Sequence, residues 1–180
     1  MVSNRQQSGF TLVEIIIGIV VISLSFSVIT TLVLPATEKS ADQVQQIKAA
    51  ELGQSLLTEI LGRAYDENSD QAGGVYRCND AGRDACTASA SLGSDGESRS
   101  NYDDVDDFNE LKNVDGQSIL DAQGNNLGDY YFGFTLDVDV IYDGNFDGVS
   151  DNNQLAKLIT VSVTTPSGEV IQFSGYRTNF

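Results

Sequence analysis

The longest apolar stretch of the chain lies close to its N-terminus. Twenty consecutive residues, Ile15 to Leu34, carry no charged side chain. A helix of that length covers roughly 30 Å, which matches the hydrocarbon core of a bilayer, so we predict a transmembrane helix over residues 10–34. Glu14 lies near the start of this apolar region, where an ionised carboxylate facing lipid costs several kcal/mol, and we therefore expect it to have a cationic partner.

From Ala36 to Tyr65 the chain keeps a helical pattern but becomes amphipathic. Its apolar or small residues recur at spacings of three and four, which is the pattern of a helix with one buried face. These residues are Ala49, Leu52, Gly53, Leu56, Leu57, Ile60, Leu61 and Ala64. Pro35 separates the two halves and has no N–H to donate to the carbonyl of Thr31, so the sequence predicts a kink or a short break there.

The C-terminal third, residues 128–180, shows the two-residue alternation of β-strands. Apolar residues alternate with polar ones over 132–142, 155–165 and 170–176, and the sequence Pro-Ser-Gly at 166–168 supplies a turn between the last two. Short connections imply an antiparallel meander. Its apolar face and that of the helix each need cover, so the predicted fold class is α+β, with a long N-terminal helix packed on a C-terminal antiparallel meander sheet.

Between the helix and the sheet, residues 66–127 show no regular pattern and are rich in Asp, Ser, Asn and Gly. A loop region of this length is unusual in a compact domain and indicates a functional or variable insertion. Cys78 and Cys86 are the only cysteines, and their spacing fits a structural disulfide better than a zinc site or a Cys-x-x-Cys redox pair. The acidic cluster at 102–108 is either a metal site or a solvated turn whose Tyr and Phe dock on the core.

Charge and composition restrict the possible functions. The formal net charge is −16 at pH 7, and the chain contains no histidine. Such a charge repels nucleic acid, so we expect no nucleic-acid partner. Without histidine the commonest general base is missing, and the sequence has no Gly-x-Ser-x-Gly, phosphate-loop or dinucleotide-binding motif. We therefore predict that the protein is not an enzyme.

An Asp-rich loop lies between the first two predicted strands. Positions 1, 3, 5, 7 and 9 of a calcium-binding loop are occupied by Asp143, Asn145, Asp147, Val149 and Asp151. Position 12 departs from the motif, since Gln154 stands where a bidentate Glu is needed, and strands rather than helices flank the loop. Two alternatives follow: a weak Ca²⁺ site with ligands from these five residues, or a plain Asn/Asp/Gly hairpin turn.

The polar leader meets the apolar stretch at Ser8-Gly9-Phe10-Thr11-Leu12-Val13-Glu14. This segment resembles the processing site of type IV pilins and pseudopilins; an ordinary signal anchor is the alternative. The resemblance implies that a prepilin peptidase cuts after Gly9, that Phe10 becomes the methylated N-terminus, and that Glu14 is the fifth mature residue. It also supplies the expected cation, because the Phe10 amine of a neighbouring subunit can neutralise Glu14 inside a helix bundle.

The same resemblance implies a domain organisation and a location. Residues 1–9 are a cleaved cytoplasmic leader, residues 10–34 anchor the chain in the inner membrane, and residues 35–180 form a periplasmic domain of pilin-like fold. The implied partners are the prepilin peptidase, the inner membrane before assembly, and other pilin subunits. These subunits bind through the N-terminal helix and form a pilus at the cell surface.

Two further stretches, 57–67 and 102–108, resemble the MshD group of minor pilins of the mannose-sensitive haemagglutinin (MSHA) pilus. This narrower resemblance implies a minor subunit with a role in adhesion or pilus biogenesis. A minor pseudopilin of type II secretion is an alternative within the same class. A membrane-tethered, calcium-dependent binding module is an alternative from a different class.

Overall fold

The computed structural model describes residues 9–70 and 75–179. For residues 32–41 it describes the backbone only. Helix α1, Leu12–Leu61, continues through Pro35, so the predicted break is absent from the described backbone. A proline removes one hydrogen bond from a helix, and the residues on either side continue the helix across this position. The chain divides into two compact units, residues 1–43 and 44–180, which are described separately.

In the second unit, the structure confirms the predicted buried face of α1. The helix residues that are buried in the main hydrophobic core are Ala49, Leu52, Leu56, Leu57 and Ile60. Gly53 belongs to the same face, where a Cβ atom would collide with the ring of Phe173. Full burial of a large apolar side chain contributes about 1.5–3 kcal/mol, so this face is what holds the helix on the sheet.

The sheet has four antiparallel strands in the order β1-β2-β3-β4. They are β1 Val114–Asp115, β2 Thr135–Tyr142, β3 Ala156–Thr164 and β4 Val170–Thr178. Buried residues alternate along β2 and β3 and face each other across the pair, as Val138 does with Val161. The predicted α+β fold, a helix packed on an antiparallel meander, is confirmed.

Two details of the predicted sheet are corrected. β2 begins at Thr135 rather than at residue 132, and Phe132 is 71% exposed instead of facing the helix. The backbone turns at Gly133, which has a φ of +77°, so the alternation seen in the sequence does not extend through it. Strand β1 was not predicted because two residues are too short to show any alternation.

The region 66–127, predicted to be a long loop region, contains short regular elements, and part of it is buried in the core. Its described part contains four short 3-10 helices, Ser89–Ser91, Arg99–Asn101, Asp106–Glu110 and Gly116–Ser118. Tyr102 and Phe108 are buried in the main core and meet edge to face, with 5.2 Å between ring centroids. The prediction that these two aromatic residues dock on the core is therefore confirmed.

Candidate functional site

The predicted calcium loop connects β2 to β3, and the buried side chain of Asp143 organises it. The Asp143 carboxylate accepts hydrogen bonds from the backbone N–H of Gly148 at 2.8 Å and of Asp147 at 3.1 Å, and from the hydroxyl of Tyr176 at 2.5 Å. Burial opposes ionisation of this carboxyl, but the hydrogen bonds outweigh it and lower the pKa of Asp143. Asp143 is thus an ionised, fixed group at one end of the loop.

The other predicted ligands also accept hydrogen bonds from the loop backbone. The oxygens of Asn145 and Asp147 accept from the N–H groups two residues further on, at 3.2 Å and 2.9 Å. The carboxylate of Asp151 accepts from the N–H of Gly144 at 3.3 Å. The structure therefore brings Asp143, Asn145 and Asp147 together around one turn, with Asp151 bonded to the start of the loop.

Gln154 does not contribute to the loop in the way that position 12 of a calcium motif would. Its side-chain oxygen accepts a hydrogen bond from Asn79 at 2.7 Å, and its amide donates to the carbonyl of Thr87 at 3.2 Å. The residue is therefore used to hold the disulfide region. Calcium binding at Asp143, Asn145, Asp147, Val149 and Asp151 stays a prediction, with weak affinity expected because the two oxygens of a bidentate Glu are missing.

We expect the fragment 44–180 to melt at a higher temperature in millimolar calcium than in chelator. The expected Kd of about 10⁻⁴ to 10⁻³ M is typical of extracellular calcium modules, and at ten times Kd binding adds about 1.4 kcal/mol to the free energy of unfolding. Asp147→Ala should abolish this gain. Asp121→Ala is the matched control, because Asp121 makes the same kind of side-chain bond to backbone N–H groups in another loop. If the unaltered fragment melts at the same temperature in calcium and in chelator, the loop is an ordinary turn and not a calcium site.

The predicted disulfide joins Cys78 to Cys86, with 4.8 Å between the Cα atoms. Both cysteines are buried, together with Tyr65 and Tyr142, in a second, smaller core. Asn179, the residue after β4, donates a hydrogen bond from its side-chain amide to the carbonyl of Cys78 at 3.2 Å. The disulfide loop is thus attached to the C-terminal strand, although the two are far apart in the sequence.

The described part of the first unit carries an exposed apolar surface. Leu12–Thr31 is a 20-residue segment with a mean hydropathy of 2.7 and no buried residue, long and apolar enough to cross a membrane. Gly9 and Phe10 lie just before α1, from which Thr11 separates them, and both are exposed. The rest of the predicted leader, residues 1–8, lies outside the described residues.

Glu14 has a local role that the sequence reasoning missed. Its carboxylate accepts from the N–H of Thr11 at 3.5 Å, and its own N–H donates to the Thr11 hydroxyl at 3.3 Å. This reciprocal arrangement is a capping box, and its signal, Thr followed three residues later by Glu, is visible in the sequence. A carboxylate in the first helical turn also interacts favourably with the helix dipole. Glu14 is therefore bonded to Thr11, the residue that follows Phe10, at the start of α1.

Residues 4–30 match the prokaryotic N-terminal methylation motif. The matched segment contains Gly9, Phe10 and Glu14 and most of the exposed apolar part of α1. It supports a type IV pilin-like or pseudopilin subunit, a class of structural proteins, and fits a membrane-anchored protein that a peptidase processes and that assembles with other subunits. No curated protein and no solved structure matches the chain. The MshD-type assignment stays a prediction.

The chain also contains a buried charged cluster that was not predicted. Lys157, in β3, is fully buried, and its ammonium contacts the carboxylate of Asp106 and donates to the backbone carbonyl of Tyr65 at 2.7 Å. The carboxylate of Asp66 lies 3.4 Å away. A signal was present, because position 157 has the same parity as the core residues Ile159 and Val161. A lysine at a core-facing position of a strand needs buried carboxylates.

This cluster corrects the interpretation of the acidic stretch 102–108 as a solvated turn. Asp104, Asp106 and Asp107 are all buried. Asp104 accepts hydrogen bonds from the backbone N–H of Asp106 at 2.8 Å and of Asp107 at 3.2 Å, while Asp106 faces Lys157. The alternative, a metal site, is untested. Glu97, Asp103 and Asp107 bring three oxygens within 4.8 Å of one another.

Asp104 should make the stability of the domain depend on pH. Burial, followed by the charge of Asp106, raises the pKa of Asp104 to about 8, although Lys157 opposes the rise. Between about pH 4 and pH 8 the folded chain therefore holds a proton that the unfolded chain releases, and the free energy of unfolding falls as the pH rises through this window. Chemical denaturation at pH 5 and pH 8 measures the fall. Asp104→Asn, which keeps the acceptor oxygen, should reduce it, and an unchanged slope would contradict the assignment.

Proposed function

We propose that the chain is a minor type IV pilin-like subunit of an MSHA-type pilus, involved in adhesion or pilus biogenesis. A prepilin peptidase cleaves after Gly9 on the cytoplasmic side of the inner membrane, and Phe10 becomes the mature N-terminus. The observation that supports a pilin-like subunit is the methylation motif at residues 4–30, which includes most of the exposed apolar helix. The MSHA-type part of the proposal rests on the resemblance of residues 57–67 and 102–108 to MshD-type minor pilins.

The exposed helix surface supports assembly with other subunits. Leu12–Thr31 has no buried residue, and an apolar surface of this size must be covered by lipid or protein. In the precursor, the inner membrane covers it, and the domain from residue 44 on lies in the periplasm. In the pilus, the same surface is buried against the helices of neighbouring subunits.

The role of Glu14 in assembly is to pair with the Phe10 amine of a neighbour, and a variant series separates this role from helix capping. Glu14→Gln keeps a side-chain oxygen for the capping box but removes the charge, while Thr11→Ala removes the hydroxyl of the box and keeps the charge. We expect Glu14→Gln and Glu14→Ala to be inserted and cleaved but to lose incorporation into filaments. Thr11→Ala should be incorporated. Quantification of each variant in sheared filaments gives the answer, and normal incorporation of Glu14→Gln would exclude the pairing.

A minor pseudopilin of type II secretion would carry the same motif and the same exposed helix. The two functions differ in where the mature protein is found. A pilus subunit co-purifies with filaments sheared from the cell surface, whereas a pseudopilin is absent from them and its deletion impairs secretion of folded proteins.

A further inference from the structure

Lys157 and Asp106 form a buried ion pair inside the domain. The two side chains are 0% and 1% exposed, and the amine of Lys157 touches one carboxylate oxygen of Asp106. The other oxygen, Oδ2, is buried and has no hydrogen-bond partner among the residues that the structure describes. A buried carboxylate with an unpartnered oxygen carries a desolvation cost that a good ion pair does not fully offset. Conversion of the two charged groups into an uncharged one would remove this desolvation cost.

We propose that Lys157 and Asp106 become joined by an intramolecular amide bond between Nζ and Cγ, which forms after the domain has folded. The bond links β3 to the 3-10 helix Asp106–Glu110 and so ties the acidic segment to the sheet.

The reaction is a condensation that needs no cofactor. Asp66, whose Oδ2 lies 3.4 Å from Nζ, takes one proton from the ammonium, and the neutral amine attacks Cγ of Asp106. The C–N bond forms, and one C–O bond of Asp106 breaks. The departing oxygen takes one proton from Asp104 and a second one from the nitrogen, and it leaves as water. Asp104 regains its proton from Asp66, so the sum is one ammonium and one carboxylate converted to an amide and one water.

The neighbouring acids are suited to these two proton transfers. Asp66 accepts hydrogen bonds from the backbone N–H groups of Asn68 at 3.1 Å and Thr87 at 2.8 Å, which fix its carboxylate beside Lys157. Asp104 is held next to Asp106, whose backbone N–H it binds at 2.8 Å. Its raised pKa keeps it protonated at neutral pH, as a general acid requires.

The fold favours amide formation in two ways, by orienting the reacting groups and by excluding water. Orientation of the two reacting groups within a packed interior replaces a bimolecular encounter and so removes much of the entropic part of the barrier. Tyr65 and Tyr142 lie against the amine, at 4.7 Å and 5.5 Å from Nζ to the ring centroids, and exclude water from it. In such surroundings the uncharged amide replaces two buried charges, and the water is expelled.

The full chain, purified in detergent, denatured and reduced, tests the proposal by its intact mass. We expect the measured mass to be lower, by one water, than the mass calculated from the sequence between the termini that the purified chain has. Proteolysis should yield a branched peptide that contains Lys157 and Asp106. A wild-type mass without this deficit, or no branched peptide at that pair, would overturn the proposal.

Variants separate the amide from other losses of water. Lys157→Arg keeps the positive charge but cannot form this amide, and Asp106→Ala removes the carboxyl; both should show the full mass. A cyclic imide at an Asp-Gly step, such as Asp143-Gly144, also lacks one water, but mild alkali reopens it and leaves an amide intact. A deficit that persists in Lys157→Arg would contradict the proposal. If either variant fails to fold, the wild-type mass and branched peptide still decide.

Discussion

Replacing Lys157 by methionine is expected to lower the free energy of unfolding of the fragment 44–180 by about 3–5 kcal/mol or more. Removing one partner of a buried charge pair usually costs that much, and the variant also lacks the proposed amide to Asp106. The substitution leaves Asp66 and Asp106 buried without their cation. Typical domains have a total stability of about 5–15 kcal/mol, so the loss is a large fraction of the whole. Denaturant titration of both proteins gives the difference.

The control for this prediction is the same substitution at Lys112. Its ammonium pairs with Asp139 at 2.8 Å, but the two side chains are 43% and 60% exposed. Exposed pairs contribute about 0–1 kcal/mol, so Lys112→Met should be close to neutral. Equal effects at both positions would show that burial does not determine the contribution of Lys157.

Gly9→Val is expected to abolish processing and leave the full-length precursor in the inner membrane. A peptidase that works at the membrane face needs a small residue before the cut, and a Val side chain would obstruct its cleft. A steric clash within the described fold is not expected, since a Cβ atom at Gly9 has no described atom within 4 Å. Immunoblotting of membrane fractions distinguishes precursor from mature chain.

Gly18→Val is the matched control, because a Cβ atom there also has no described atom within 4 Å and the residue lies after the proposed cut. Its processing should be unchanged. Cleavage of Gly9→Val at the normal extent would show that the motif is not used as a prepilin signal.

The helix and the strands were predictable because a periodic pattern of apolar residues indicates one buried face. The spacing from Ala49 to Ile60 located the helix face, and the alternation along β2 and β3 located the sheet core. Where a pattern crosses a turn, it misleads: Phe132 continues the alternation in the sequence, but the left-handed backbone at Gly133 separates it from β2.

The acidic segment was harder to predict, because local composition does not reveal distant partners. Asp106 looks solvated in the sequence, yet a lysine 51 residues away in β3 makes its burial possible. Likewise, the capping role of Glu14 was overlooked because the cost of a carboxylate in lipid directed attention to partners on other subunits, although Thr11 lies one turn before it. Pairwise contacts of this kind depend on the tertiary fold or on capping geometry, which hydrophobic periodicity does not encode.

The central claim, that the chain is processed and assembled as a pilin-like subunit, is tested most directly by the N-terminus of the protein in sheared, purified filaments. Mass spectrometry of that material should find N-methylated Phe10 as the first residue, since the methylation motif covers residues 4–30. A chain in the filaments that still begins with Met1 would contradict it.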